Sequence, residues 1–289
     1  GLGDVYKRQL QYYGCGPHLV PQTGLKKLYY NMKLAYDKGD RDYFIMNVSN
    51  VREFVFELKA YAESAWNMSR YVPDDYLNRY CEKFGEHADE VKNAITDFYE
   101  SFPELDSKYL EKHLSTYFNY TKTAPPAGIT NFVLKEGSII DYGKRMTDNF
   151  DKDLNKWLCH EYAAAIKPII ANSDEICVRF EKITENLSEP LKTHFKIKWL
   201  LSAKTLNYIY KWYVALHDAK IHRDGADGEN MKKSILEASG YLFDYLKYRK
   251  CAEYGEFKNW YRGDLKMNIK QRLYDTLKII GQTPEMTEY

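Results

Sequence analysis

Apolar positions follow a helical period through almost the whole chain from Arg52 onward, and only the first fifty residues break it. There, two short runs rich in β-formers, Leu10 to Cys15 and Tyr43 to Val48, are bounded by turn residues and predict strands. Between them Leu25, Leu28, Met32 and Ala35 fall at i, i+3, i+7 and i+10, with Gly39 as a stop, which predicts a helix. Strand, helix and strand in so short a span form a βαβ unit whose strands should be parallel neighbours.

The segments "REFVFELKAYAESAWN", "DDYLNRYCEKFG" and "EHADEVKNAITDFYESF" read as successive helices, with Asp74 or Asp75 as N-cap and Gly85 as a stop. The stretch "KTAPPAGITNFVLKEGS" reads as a linker. Beyond it "DNFDKDLNKWLCHEYAAAIKPIIAN", "EPLKTHFKIKWLLSAKTLNYIYKWYVALHDAKI", "GENMKKSILEASGYLFDYLKYRKCAEY" and "NIKQRLYDTLKII" predict long amphipathic helices, and their short connections imply an antiparallel bundle. Two parallel strands alone leave an edge unpaired and a face uncovered, so the βαβ unit is expected to be the remainder of a larger sheet.

Composition narrows the partners. Lys+Arg 42 against Asp+Glu 41 gives a net charge of +1, so no nucleic acid or anionic membrane is expected. No apolar run reaches the ~20 residues of a membrane span. The five cysteines are scattered without a CxxC pair, which argues against a disulfide framework or a zinc site. His217 and His222 stand at i, i+5, on different faces, and read as solvated helix residues; no metal is expected. Cys159 and His160 are adjacent, point apart, and read as packing. The opening "GLGDVYKRQ" contains neither GxxxxGK[ST] nor GxGxxG, and no cofactor is expected.

Tyr 27 and Trp 5 supply apolar faces with polar tips, which suit sugar stacking as well as helix packing. Asn47, Asn50 and Arg52 follow the second strand, at the carboxyl end where parallel α/β folds place their sites, and can donate to hydroxyls or a carboxylate. Tyr12 and Tyr13, before Gly14 and Gly16, take the equivalent place after the first strand. Trp66 and Asn67 close the following helix as a stacking wall or, equally, a core anchor. Asn47 and Ser49 could as well cap the turn into that helix.

In order and spacing, "YYG", "AYDKGD", "DYFIMNVSNVRE", "AESAWN" and "YLNRYCEKFGEHADEV" resemble the later part of glycoside hydrolase family 115, which contains α-glucuronidases acting on glucuronoxylan. The resemblance spans roughly residues 12 to 95. It implies a mostly α chain: a residual βαβ portion of a truncated TIM barrel over 10–72, followed by an antiparallel helical bundle over 73–289. Tyr13 and Gly14 match the family's tyrosine and glycine, Asn47 and Val48 its strand end, and Trp66 and Asn67 its A-W-N. Ser49, Asn50 and Arg52 stand where the family commonly has Gly, Asp and Lys. The resemblance implies a carbohydrate substrate, secretion or periplasmic export of the full-length parent, and a homodimer through the bundle as an option.

Hydrolysis of a glycoside uses two carboxyl groups about 5 to 9.5 Å apart. Glu53, Glu57 and Glu63 lie on one predicted helix and Asp37, Asp40 and Asp42 at the opposite end, so no acid and base pair is nominated and the catalytic carboxylates are expected upstream. Residues 1–9 show no hydrophobic period and resemble the translation of a sequencing-library adapter, and are set aside as non-native. A stand-alone helical scaffold or binding protein, or a fragment of a hexosaminidase-like barrel, is the alternative reading.

Overall fold

Leu25, Leu28, Met32 and Ala35, spaced for one helical face, are the buried residues of α1 (Leu25–Asp37), and Gly39 ends it at φ 103, a conformation that favours glycine. The structure, a computed structural model, describes residues 5–9, 19–41, 43–48, 50–101, 136–152, 162–264 and 267–284. Strand β1 is Val5–Gln9 and β2 is Tyr43–Asn47; they pair in parallel with Val5 opposite Tyr43 and Gln9 opposite Asn47. Two parallel neighbouring strands flank α1, but the first is Val5–Gln9, in the segment set aside as foreign, and not the expected Leu10 to Cys15. The ladder is made by backbone N–H and C=O groups, so the five residues take this place whatever their origin. The run Leu10 to Cys15, expected to be the first strand, lies outside the described residues.

Helix α2 (Val51–Trp66) returns from the carboxyl end of β2 and packs on α1. Helix α3 (Pro73–Glu82) starts with Val72 as N-cap and Pro73 in its first turn. Asp74 and Asp75 are therefore first-turn acids rather than the cap expected of them, because proline's fixed φ and missing N–H suit the first helical position. Gly85, at φ 58, separates α3 from α4 (Ala88–Glu100).

The described residues are mostly helical. Helix α5 (Glu136–Asp148) occupies part of the expected linker, and α6 (Tyr162–Asn186) runs from the middle of a predicted helix well past its end, with Pro168 inside it. Cys159 and His160 lie outside the described residues. Helix α7 (Leu191–Phe195) continues through a π turn, Lys196–Leu200, into α8 (Leu201–Asp224) without leaving helical backbone angles. A turn at Gly225 to Asp227 leads to α9 (Gly228–Arg249), whose N-cap Asp227 accepts from the Asn230 N–H, and α9 packs beside α8. Short 3₁₀ turns at Lys250–Ala252, Gly255–Phe257 and Trp260–Gly263 precede α10 (Ile269–Lys278). Helix α8 is the hub, touching α5, α6 and α9, and fifteen of its residues are buried. His217 is among them, so it is packed rather than solvated as expected.

One continuous apolar core joins the N-terminal helices to this hub. At the joint Trp199 stands edge-on to Phe56 (5.2 Å), Tyr99 (5.9 Å) and Tyr80 (6.1 Å), which draws α2, α3 and α4 onto the π turn.

Candidate functional site

Directly after β2, the first turn of α2 puts Arg52 and Glu53 on the wall of a cleft of about 490 Å³. The opposite walls come from α7 with the π turn, from the end of α9, and from the 3₁₀ turns that follow it. A helix that follows a strand starts beside the strand's carboxyl end, so Asn47, at the end of β2, stands at the same end of the unit as this cleft.

Arg52 is held through both terminal nitrogens, while its Nε is buried without a hydrogen-bond partner among the described residues. Its guanidinium donates to the Ala252 carbonyl (2.7 Å), the Tyr261 hydroxyl (3.0 Å) and Glu53 (3.1 Å), and lies over the rings of Phe257 (4.7 Å) and Trp260 (4.9 Å). Glu53 accepts through Oε1 from the Trp260 indole N–H (2.9 Å) and the Tyr261 hydroxyl (3.2 Å). Its second oxygen, Oε2, is buried without a hydrogen-bond partner among the described residues. Leaving a buried acceptor unpaired costs about 1–3 kcal/mol, and a donor brought in by a ligand removes that cost.

Beneath this pair lies a second buried network. Lys198, on the π turn, donates to Glu57 (2.8 and 3.1 Å) and to the backbone carbonyl of Glu53 (2.7 Å), while the Tyr99 hydroxyl donates to Glu57. Glu57 is 0% exposed and Lys198 5%. Burial pushes the Lys198 ammonium below its ordinary value, and the Glu57 carboxylate opposes that shift. All three lysine donors are occupied, so Lys198 braces the floor of the cleft rather than offering a nucleophile. His194, also on the wall, is pushed down to about 4 by burial and by the charges of Lys83 and Lys198. It is neutral at pH 7, and its Nε2 accepts from Lys83 (3.0 Å), which cannot accept in return.

The residues singled out in the sequence divide into two places. Asn47 is exposed at the end of β2 and Asn50 is the N-cap of α2, neither among the residues that line the cleft, and Arg52 follows into the cleft beside Glu53, to which the sequence reading gave no role. Trp66 and Asn67 lie at the other end of the same helix, fourteen residues beyond Arg52 and about 21 Å along its axis. They form a separate groove with Lys59, Arg70 and Tyr71. Trp66 is 92% exposed, which removes the core-anchor option. Tyr12 and Tyr13 lie outside the described residues.

Sequence reasoning did not single out Glu57, Lys198 or His194. The available signal was a lysine inside the apolar run "FKIKWLL". Among the described residues no cluster of His, Cys, Asp or Glu could hold a metal ion, and no helix is long and apolar enough to cross a membrane.

Residues 6–109, from β1 through α4, match Glycosyl hydrolase family 115. The resemblance read from the sequence motifs thus holds, over a longer span than those motifs covered. None of the curated proteins compared matches the chain.

Proposed function

We propose that this segment of Glycosyl hydrolase family 115 is the late part of a TIM barrel, which the following helices buttress as an antiparallel bundle, in an enzyme acting on a plant polysaccharide such as glucuronoxylan. The observation that carries this reading is the Glu53 and Arg52 pair. It sits after the carboxyl end of β2, inside the matched residues, and lines a cleft with an acceptor oxygen unpaired. In the proposed role Glu53 accepts a sugar hydroxyl, Arg52 fixes the Glu53 carboxylate, and Asn47 and Asn50 donate from the strand end. The aromatic side chains of Tyr254 and Phe257 supply the apolar wall on which a sugar face rests.

Hydrolysis needs an acid and a second carboxylate flanking the bond. Glu189 also lines the cleft, but its carboxylate accepts from the Thr193 N–H at an exposed helix start, so it is a capping group. We assign the chain substrate positioning, with the catalytic pair supplied by barrel strands outside it. The helical bundle is also assigned a role in homodimer formation, which light scattering reads.

Calorimetric titration with xylotetraose tests the reading. The chain is expected to bind it, to release no reducing sugar, and to lose about tenfold in affinity on Glu53→Gln, the loss of one charged hydrogen bond. Equal binding by Glu53→Gln, or no binding by the folded parent chain, would overturn it.

A further inference from the structure

At the far end of α2, away from the cleft, Trp66 lies fully in water beside an open groove of about 490 Å³. An exposed indole is a poor choice for a surface unless something covers it, because its large apolar face gains from being removed from water. Three cations, Lys59, Arg70 and Arg79, and one acid, Glu63, line the groove. Lys59 and Arg70 line the groove, are exposed, and take part in no ion pair among the described residues, whereas Arg79 is matched by Glu63 at 2.7 Å. Tyr71, 7% exposed, also lines it, and its hydroxyl is buried with no hydrogen-bond partner among the described residues. An apolar plate, two unmatched cations and an unsatisfied hydroxyl lie together on one groove.

We propose that this groove is a second carbohydrate-binding surface, separate from the cleft, and that it takes an acidic saccharide: the sugar face stacks on Trp66 and the carboxylate pairs with Arg70 and Lys59. The inference rests on the reading of the chain as carbohydrate-active, but uses none of the cleft's residues. A neutral chain would leave the two cations unmatched, so charge complementarity selects the uronide over the plain polymer. Arg70 can grip a carboxylate with two parallel N–H donors, and Lys59 adds a point charge. Asn67 holds the groove's rim in place through the hydrogen bond it accepts from the Ser69 hydroxyl (2.9 Å).

Titration of the intact chain with tetragalacturonate, beside neutral xylotetraose, tests this. Tetragalacturonate is expected to bind the more tightly at low salt and to weaken as salt rises, because exposed charges are screened. Trp66→Ala should weaken it by about tenfold. A double change, Lys59→Gln with Arg70→Gln, should abolish the salt dependence, and Glu53→Gln should leave tetragalacturonate binding unaltered. Since Trp66 is exposed, its replacement should leave the melting temperature unchanged. Undiminished binding by Trp66→Ala would overturn the proposal, as would tighter binding of a single-stranded oligonucleotide, or burial of Trp66 in a dimer seen by light scattering. Loss of xylotetraose binding in Glu53→Gln with tetragalacturonate unaffected separates the two sites; failure of the groove alone leaves the cleft reading standing.

Discussion

Replacing Lys198 by methionine keeps an unbranched side chain one atom shorter and removes its charge. The structure states what is then lost. Glu57, with no exposed surface, forfeits two donors and keeps only the Tyr99 hydroxyl, and the Glu53 carbonyl forfeits its 2.7 Å bond. Removing one partner of a buried ion pair strands the other charge, at a cost of about 3–5 kcal/mol. Replacing Glu57 by methionine as well removes the stranded charge, so the double variant should be more stable than Lys198→Met alone, with a coupling energy of at least about 2 kcal/mol. Urea unfolding followed by far-ultraviolet circular dichroism measures each variant, with the denaturant slope unchanged. A loss below about 1 kcal/mol for Lys198→Met, or singles that simply add, would refute the assignment of this pair as the brace beneath the cleft.

Three further outcomes are expected. A methyl group at Gly143 would lie 2.1 Å from the Trp212 ring, which is fully buried and held by its hydrogen bond to Thr276 (3.1 Å). Gly143→Ala should therefore lower stability by about 1–3 kcal/mol or more, despite alanine's better helix propensity, and a stabilised variant would contradict this packing. His194 is held at about 4 against an ordinary 6.5, so the unfolded chain binds the extra proton first; the histidine's contribution is complete above about pH 6.5 and is lost as pH falls through 4. His194→Gln should flatten the decline in stability between those values, and an identical pH profile would refute the assignment. Arg52→Met should free the 3₁₀ turns from α2, read as faster proteolysis between residues 250 and 264 at unchanged far-ultraviolet signal; unchanged cleavage would show that the aromatic rings alone hold the segment.

Local patterns were legible where one face of one element decides the outcome. The α1 stripe and the Gly39 stop, the run from Leu191 through Asp224, and α10 all follow from spacing and punctuation. The separation of Arg52 from Trp66 was implicit in the same spacing, because sixteen helical residues put the ends of α2 far apart. The cleft was not legible, since Glu53, His194 and Phe257 meet only through tertiary packing of segments distant along the chain. The brace was hidden for the same reason: Glu57 and Lys198 are 141 residues apart. Strand β1 was not legible because "VYKRQ" has no apolar period, whereas a parallel ladder asks only for extended backbone beside β2.

In the proposed role the cleft after β2 receives a sugar. The decisive measurement is a crystal structure of the chain soaked with xylotetraose. Density for the oligosaccharide is expected in the cleft, with a sugar hydroxyl within hydrogen-bond distance of Glu53 Oε2 and a ring against Phe257 or Tyr254. Sugar bound only elsewhere on the surface, with Oε2 still unpaired, would contradict it.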